Sequence, residues 1–231
     1  MNREQRIDLH THTFFSDGAL VPSEQLRRAV AKGYGAIAIT DHGDSSNMEF
    51  LLTALRRFAE QQGADYPLVF IPGIELTHVA PDSIARLSRR AKRLGAGLVV
   101  VHGETLVEPV VAGTNAAAVA CPDVDILAHP GLITVEEARQ AAANGIYLEI
   151  TSRRGHSLAN GHVALVAREA GAGLVLNTDA HEPDDMIDQA MARLVAAGAG
   201  LSPEEVEAAT VTNPWALVER ARARWTRGQQ A

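Results

Sequence analysis

Cysteine is nearly absent from this chain of 231 residues: Cys121 stands alone. One thiol excludes an intramolecular disulfide framework and fits a reducing compartment, so a cytoplasmic location is expected. No pattern of partner residues surrounds Cys121, which reads as a small core or loop residue rather than a nucleophile. Long apolar runs are missing as well. Nothing approaches the ~20 apolar residues of a membrane helix, and residues 2–6 are too polar, and the run after them too short, for a signal peptide. Positive charge is in the minority. Lys and Arg together number 21 against 28 Asp and Glu, a formal net charge of -7. That balance argues against a long nucleic-acid footprint, which needs a basic stripe. A small phosphorylated substrate stays open, because bound metal ions supply positive charge that side chains lack.

What is there begins with alternation. Short β-branched or Leu-rich runs predict strands at 7–9, 36–39, 68–71, 97–101, 125–128, 146–150 and 174–177. Between them, helical patterns run over 23–32, 48–62, 82–94, 135–144, 163–170 and 184–197, with a small helix at 115–120. Pro22-Ser23-Glu24 and Thr134-Val135-Glu136-Glu137 mark helix starts, and Gly33, Gly63, Gly95, Gly145 and Gly171 mark ends. Continuous apolar strands alternating with helices indicate a parallel sheet covered by helices. Seven such units in one domain over 1–231 favour a (β/α) barrel with one unit missing or distorted, with a doubly wound sheet as the alternative. Two further helices are expected over about 203–225, started by Pro203-Glu204-Glu205 and Asn213-Pro214, and the tail 226–231 is expected to fray.

Nine histidines are the informative part of the composition. The first strand ends in His10-Thr11-His12, and residues at i and i+2 of a strand share a face. Two imidazoles there can grip one metal ion, and Asp17, before the turn at Gly18, offers a hard oxygen nearby. The grammar recurs: Thr40-Asp41-His42 after the second strand, Glu75 after the third, His102 after the fourth and His129 after the fifth. Glu149 closes the sixth, and Asp179-Ala180-His181 the seventh. In an α/β barrel these C-terminal strand ends converge on one face. Imidazoles and carboxylates packed together without metal are costly to desolvate. With no thiolates among them, they suit zinc, manganese or iron in an open site. Asp41 is expected to orient His42 or a neighbouring ligand from outside. His78 is placed in the loop after Glu75 and His162 at the next helix start, neither with a metal.

The ordered set His10-Thr11-His12, Ser16-Asp17-Gly18, Thr40-Asp41-His42, Gly73-Ile74-Glu75, His102, Ala128-His129-Pro130 and Asp179-Ala180-His181 resembles the PHP (polymerase and histidinol phosphatase) family across almost the whole chain. The resemblance implies a distorted (β/α)7 TIM-like barrel and a phosphoesterase with two or three divalent ions. It implies one ion on His10, His12, Glu75 and Asp179, a second on Glu75, His102 and His129, and a third on Asp17, His42 and His181. The family often has histidine where Asp17 stands, which makes the third site the variable one. The segment 149–157 is similar to the substrate loop of stand-alone histidinol-phosphatase-like members. There Arg153 or Arg154 can fork onto a phosphate, and His156 can protonate a leaving oxygen.

The expected reaction is hydrolysis of a small phosphomonoester such as histidinol phosphate. A phosphodiesterase or exonuclease acting on nucleotides or short oligonucleotides is the neighbouring alternative, and a metal-binding module without turnover is the non-enzymatic one. An amidohydrolase also opens with His-x-His, but typically adds a bridging lysine on a middle strand. The two lysines of this chain, Lys32 and Lys92, both fall in helical patterns.

Overall fold

Each apolar run and the amphipathic segment after it fold as a strand followed by a helix. The computed structural model describes residues 5–228. Its strands are β1 (Arg6–Asp8), β2 (Tyr34–Ile39), β3 (His42–Gly43), β4 (Val69–Leu76), β5 (Leu98–His102), β6 (Ile126–Ala128), β7 (Tyr147–Thr151) and β8 (Leu174–Asn177). The helices are α1 (Pro22–Ala31), α2 (Met48–Gln62), α3 (Pro81–Arg93), α4 (Thr114–Val119), α5 (Val135–Asn144), α6 (Asn160–Ala170), α7 (Gln189–Gly198), α8 (Pro203–Glu207) and α9 (Asn213–Gly228). Every ladder is parallel, in the order β1-β2-β4-β5-β6-β7-β8, with the short β3 paired to β4.

The two ends of that path meet. Thr11 bridges Ala180 in parallel, and Asp179 N donates to His10 O at 2.9 Å. Lower down the seam, side chains replace the main-chain ladder. Asn177 Oδ1 accepts from Leu9 N at 2.9 Å, and the Asp8 carboxylate accepts from Thr178 N and Oγ1 at 3.1 and 2.7 Å. The sheet is therefore a nearly closed, distorted (β/α)7 barrel, and the distortion lies at the β1–β8 seam. A doubly wound sheet would leave these strands as separate edges.

Inside the barrel, Ala36, Ala38, Leu98, Val100, Ile126 and Ala128 form an apolar layer. Their i, i+2 spacing is the inward face of parallel strands. Leu217, Val218 and Ala221 of α9 join the same layer, fully or almost fully buried. Asn213 Nδ2 donates to Leu174 O at the start of β8, and Arg220 Nη1 to Gly145 O, two residues before β7. Thus α9 plugs the N-terminal mouth and leaves the opposite rim for chemistry. The larger outer core sits between sheet and helices, and the lone Cys121 is buried in it.

Local signals account for most boundaries. Thr134 and Glu137 form a capping box at α5, and Gly145 ends that helix in the left-handed region at φ 66°. One helix start needs correction, and the two C-terminal helices begin where expected. The helix predicted over 184–197 begins only at Gln189, because the Asp185 carboxylate accepts from His181 N and Glu182 N in a separate turn, and Asp188 caps α7 instead. The two C-terminal helices are joined through a π-turn, Ala208–Thr212. Pro214 has no N–H to continue the regular ladder, and a wider turn absorbs the defect. Residues 226–228, expected to fray, continue α9, while 229–231 lie outside the described residues. Among the described residues, no helix is long and apolar enough to cross a membrane.

Candidate metal centre

The barrel rim collects the predicted ligands, and backbone register aims them. His42 stands opposite Glu75 in the β3–β4 ladder, a pairing the sequence alone does not announce. The segment after His12 is folded back tightly. The Asp41 carboxylate accepts from Thr13 N at 2.6 Å, Thr13 Oγ1 at 2.7 Å and Ser16 Oγ at 2.8 Å. Gly18 passes so close that a Cβ there would fall 2.5 Å from His12 O. Asp41 therefore positions the turn that carries Asp17, rather than His42. His129 and Asp179 sit at positive φ, 29° and 52°. Such backbone strain in residues with a side chain persists where the surroundings over-determine it, often at functional sites.

Donor atoms meet in groups. His10 Nε2 lies 3.3 Å from Glu75 Oε1 and 3.7 Å from Asp179 Oδ1, and His12 Nε2 lies 3.1 Å from the same Asp179 oxygen. His42 Nε2, His181 Nε2 and Asp17 Oδ1 form a near-equilateral triangle with sides of 3.4, 3.4 and 3.2 Å. The ligand nitrogens of His102, His129 and His156 lie within 4.8 Å of one another, and His129 Nε2 is 3.9 Å from Glu75 Oε1. Two ligands bound at about 2.1 Å to one ion stand about 3.0–3.4 Å apart in octahedral or tetrahedral geometry. The first group and the triangle have such edges.

Electrostatics point the same way. Burial, then the imidazoles of His42 and His10, hold His12 well below the ordinary histidine range. Burial, then His102 and His156, do the same to His129. Burial opposes charge on His10 and His42, but Glu149, Glu75 and Asp179 outweigh it at the first, raising it, and Glu75 and Asp17 push the second up to about 10. Burial would raise Glu75, yet His10 and His42 hold its carboxyl well below the usual range. In the midst of this, His10 Nε2, His12 Nε2, His129 Nε2 and Glu75 Oε1 are buried without a well-formed hydrogen bond, their nearest opposite charges being the contacts of 3.1–3.9 Å given above. Each such orphan costs on the order of 1–3 kcal/mol. Divalent cations would satisfy all four at once, so the residues present fit a metal centre.

Other predicted residues divide clearly. Glu149 Oε2 accepts from His10 Nδ1 at 2.9 Å and from Asn177 Nδ2 at 2.8 Å, which fixes the tautomer that turns Nε2 to the centre. His156 is buried on the wall of the rim cavity of about 290 Å³, its ring stacked on His129 at 4.2 Å. Arg153 lines the same cavity, with Nη1 2.8 Å from Asp185. Arg154 is exposed and lies outside that lining, so the structure separates the two arginines. His162 Nε2 faces Ile133 O at 2.8 Å, away from the centre. Glu108 was missed by sequence reasoning. It lines the cavity and sits 3.1 Å from His102 Nε2, but comes from an irregular loop with no motif to flag it.

Comparison with known proteins agrees with this construction. Residues 8–98 match the model of the PHP domain. The chain is 49% identical over 217 residues to an uncharacterized protein of Methanocaldococcus jannaschii, covering 93% of this chain and 99% of that one. It is 31% identical to a protein of Caldanaerobacter subterraneus subsp. tengcongensis named a probable phosphatase, covering 76% of each. The chain belongs to the PHP domain family. In fold, it is similar to a chain of archaeal ribonuclease P, with a TM-score of 0.67, 16% identity and 95% and 91% of the two chains covered. It is also similar to histidinol phosphate phosphatase of Lactococcus lactis subsp. lactis, solved with zinc, L-histidinol and phosphate, with a TM-score of 0.61, 15% identity and coverage of 86% and 95%.

Proposed function

We propose that this protein is a metal-dependent phosphoesterase that hydrolyses a small phosphomonoester. The observation that supports the reading is the cluster of buried imidazoles and carboxylates at the rim, next to a cavity lined by Asp17, His42, His102, Asp179 and His181 together with Arg153. In this reading His10, His12, Glu75 and Asp179 would hold one ion, Glu75, His102 and His129 a second, and Asp17, His42 and His181 a third. Bound divalent ions of the zinc, manganese or iron type supply Lewis acidity and a water acidic enough to attack at neutral pH.

The chain's own residues do the rest. Arg153 offers its remaining N–H donors to phosphoryl oxygens, with Asp185 steadying the guanidinium. In this reading His156 would hand a proton from Nε2 to the leaving oxygen. Its Nδ1 pairs with Thr105 Oγ1 at 2.6 Å, which orients the ring toward the cavity. Arg154, outside the lining, is expected to contribute little. A cavity of about 290 Å³ suits a small ester, and the net charge of -7 disfavours a long polyanion.

Histidinol phosphate is the first monoester to test, given the family resemblance and the ligands of the Lactococcus neighbour. The experiment compares metal-loaded protein on 4-nitrophenyl phosphate, bis(4-nitrophenyl) phosphate and histidinol phosphate. Monoester turnover that disappears in a His10→Ala, His12→Ala double mutant is expected. Turnover of the diester alone would move the reading to a phosphodiesterase. Tight metal binding without hydrolysis of any ester would make the protein a metal-binding module.

A further inference from the structure

The second ion of that assignment is short of oxygen donors. Glu75 turns one oxygen, Oε2, to His42 Nδ1 at 2.6 Å, and the other lies as far as 3.9 Å from His129. The carboxylate that His102 meets is Glu108. Its Oε2 lies 3.1 Å from His102 Nε2 and 3.1 Å from His78 Nε2, and its Oε1 lies 3.3 Å from His156 Nε2.

The tautomer of His102 makes this contact informative. His102 Nδ1 faces Gly103 O at 3.1 Å. A carbonyl only accepts, so Nδ1 carries the hydrogen and Nε2 of the neutral ring presents a lone pair. That lone pair points at a carboxylate oxygen, an arrangement that repels unless a positive species lies between them. The spacing is that of two ligands on one ion, about 3.0–3.4 Å for bonds of about 2.1 Å. In the metal-free protein burial lowers His102, but Glu108 beside it outweighs this and raises it, so a proton on Nε2 relieves the repulsion; that proton leaves the buried His129 Nε2 unmatched. The ligand nitrogens of His102 and His129 lie within 4.8 Å of one another, so a cation between them would meet both rings and the Glu108 oxygen beside His102.

The loop around Glu108 shows what such a bond would do. At its base, Glu104 Oε1 accepts from Gly113 N and Asn115 N, both at 2.9 Å. At its tip, Leu106, Val107 and Val111 are exposed, so apolar burial does little to hold it. The Glu108 carboxylate is what reaches inward. His78 meets it from the solvent side out of a positive-φ backbone, φ 53°, rare for a residue with a Cβ.

We propose that Glu108 is a ligand of the ion held by His102 and His129, and that this bond ties the 103–113 segment down over the cavity. His78 is a positioning residue that steadies the carboxylate. The inference rests on the metal-centre reading above, and its test keeps the two apart. Zinc-loaded wild type, Glu108→Gln, Glu108→Ala and a surface control, Glu49→Gln, are measured for ions per chain and for affinity against a chromophoric chelator. Hydrogen exchange of residues 104–112 is followed with and without zinc.

Wild type and the control are expected to bind alike. The two Glu108 variants are expected to lose one ion per chain or weaken its binding at least about tenfold. Zinc should slow exchange in 104–112 of wild type and leave it unchanged in Glu108→Ala. Because Glu108 is on the surface and Gln keeps its shape, the variants should fold, and unchanged exchange in the barrel strands checks this. Wild-type stoichiometry and affinity in both variants would overturn the role of Glu108 while leaving the metal centre intact. A wild type that takes up no zinc would overturn both.

Discussion

His42 and Glu149 carry the clearest tests at the scale of single residues. Without cations, the carboxylates beside His42 overcome burial and push its imidazolium up to about 10. A raised value means the charged form is favoured well above neutral pH, and an ion at that site must displace the proton. Metal uptake at pH 8 is therefore expected to release a proton and to weaken as pH falls. Titration calorimetry in two buffers of different ionisation enthalpy reads this directly, and heats independent of the buffer would contradict it. The same charge has a sign for stability. The His42 contribution in metal-free protein is fully present below about 6.5, the unfolded value, and is lost as pH rises through about 10.

Glu149 acts through His10. Glu149→Gln is expected to weaken metal binding about 10–100-fold while leaving the fold intact, as loss of an outer hydrogen-bond partner does elsewhere. Chelator competition checks it, and unchanged affinity would remove Glu149 from the centre. Most of the candidate ligands could be picked out because they follow apolar runs, Asp17 in the turn after the first being the exception. Glu108 could not, because a carboxylate in an irregular loop has no period or cap to mark it. The choice between Arg153 and Arg154 was equally hidden, since which of two adjacent loop residues faces the cavity depends on tertiary contacts such as Asp185.

At the scale of elements, caps and plugs decide. Thr134 receives the Glu137 N–H and closes a reciprocal box at α5. Thr134→Ala should cost about 1 kcal/mol in urea unfolding, with activity unchanged. Loss of less than about 0.3 kcal/mol would show the cap to be redundant. This box was readable from sequence, as were the strands, because periodicity and capping residues coincide there. The start of α7 was not, because Asp184-Asp185 imitate a first helical turn while Asp185 bonds back to the rim. The two-residue β3 was too short to leave a pattern, yet it sets His42 against Glu75.

At the scale of the whole molecule, the account is one of two opposed mouths. One is stoppered by α9, and the other gathers the imidazoles and carboxylates of the candidate metal centre. Leu217 is fully buried in the stopper. Leu217→Ala should destabilise the protein by about 2–5 kcal/mol through the cavity it leaves, lowering the thermal midpoint without changing the ions bound per chain. A mutant as stable as wild type would mean that α9 packs loosely. The seven-unit alternation made a barrel legible in the sequence, whereas its closure was not. Closure depends on side chains of Asp8 and Asn177 standing in for backbone ladder bonds.

The centre itself is tested most directly by anomalous diffraction from crystals of the zinc-loaded protein, collected on both sides of the zinc edge. Two or three peaks are expected within the rim, one of them among His10, His12 and Asp179 and another inside the triangle of Asp17, His42 and His181. A loaded crystal with no peak within bonding distance of these side chains would contradict the account.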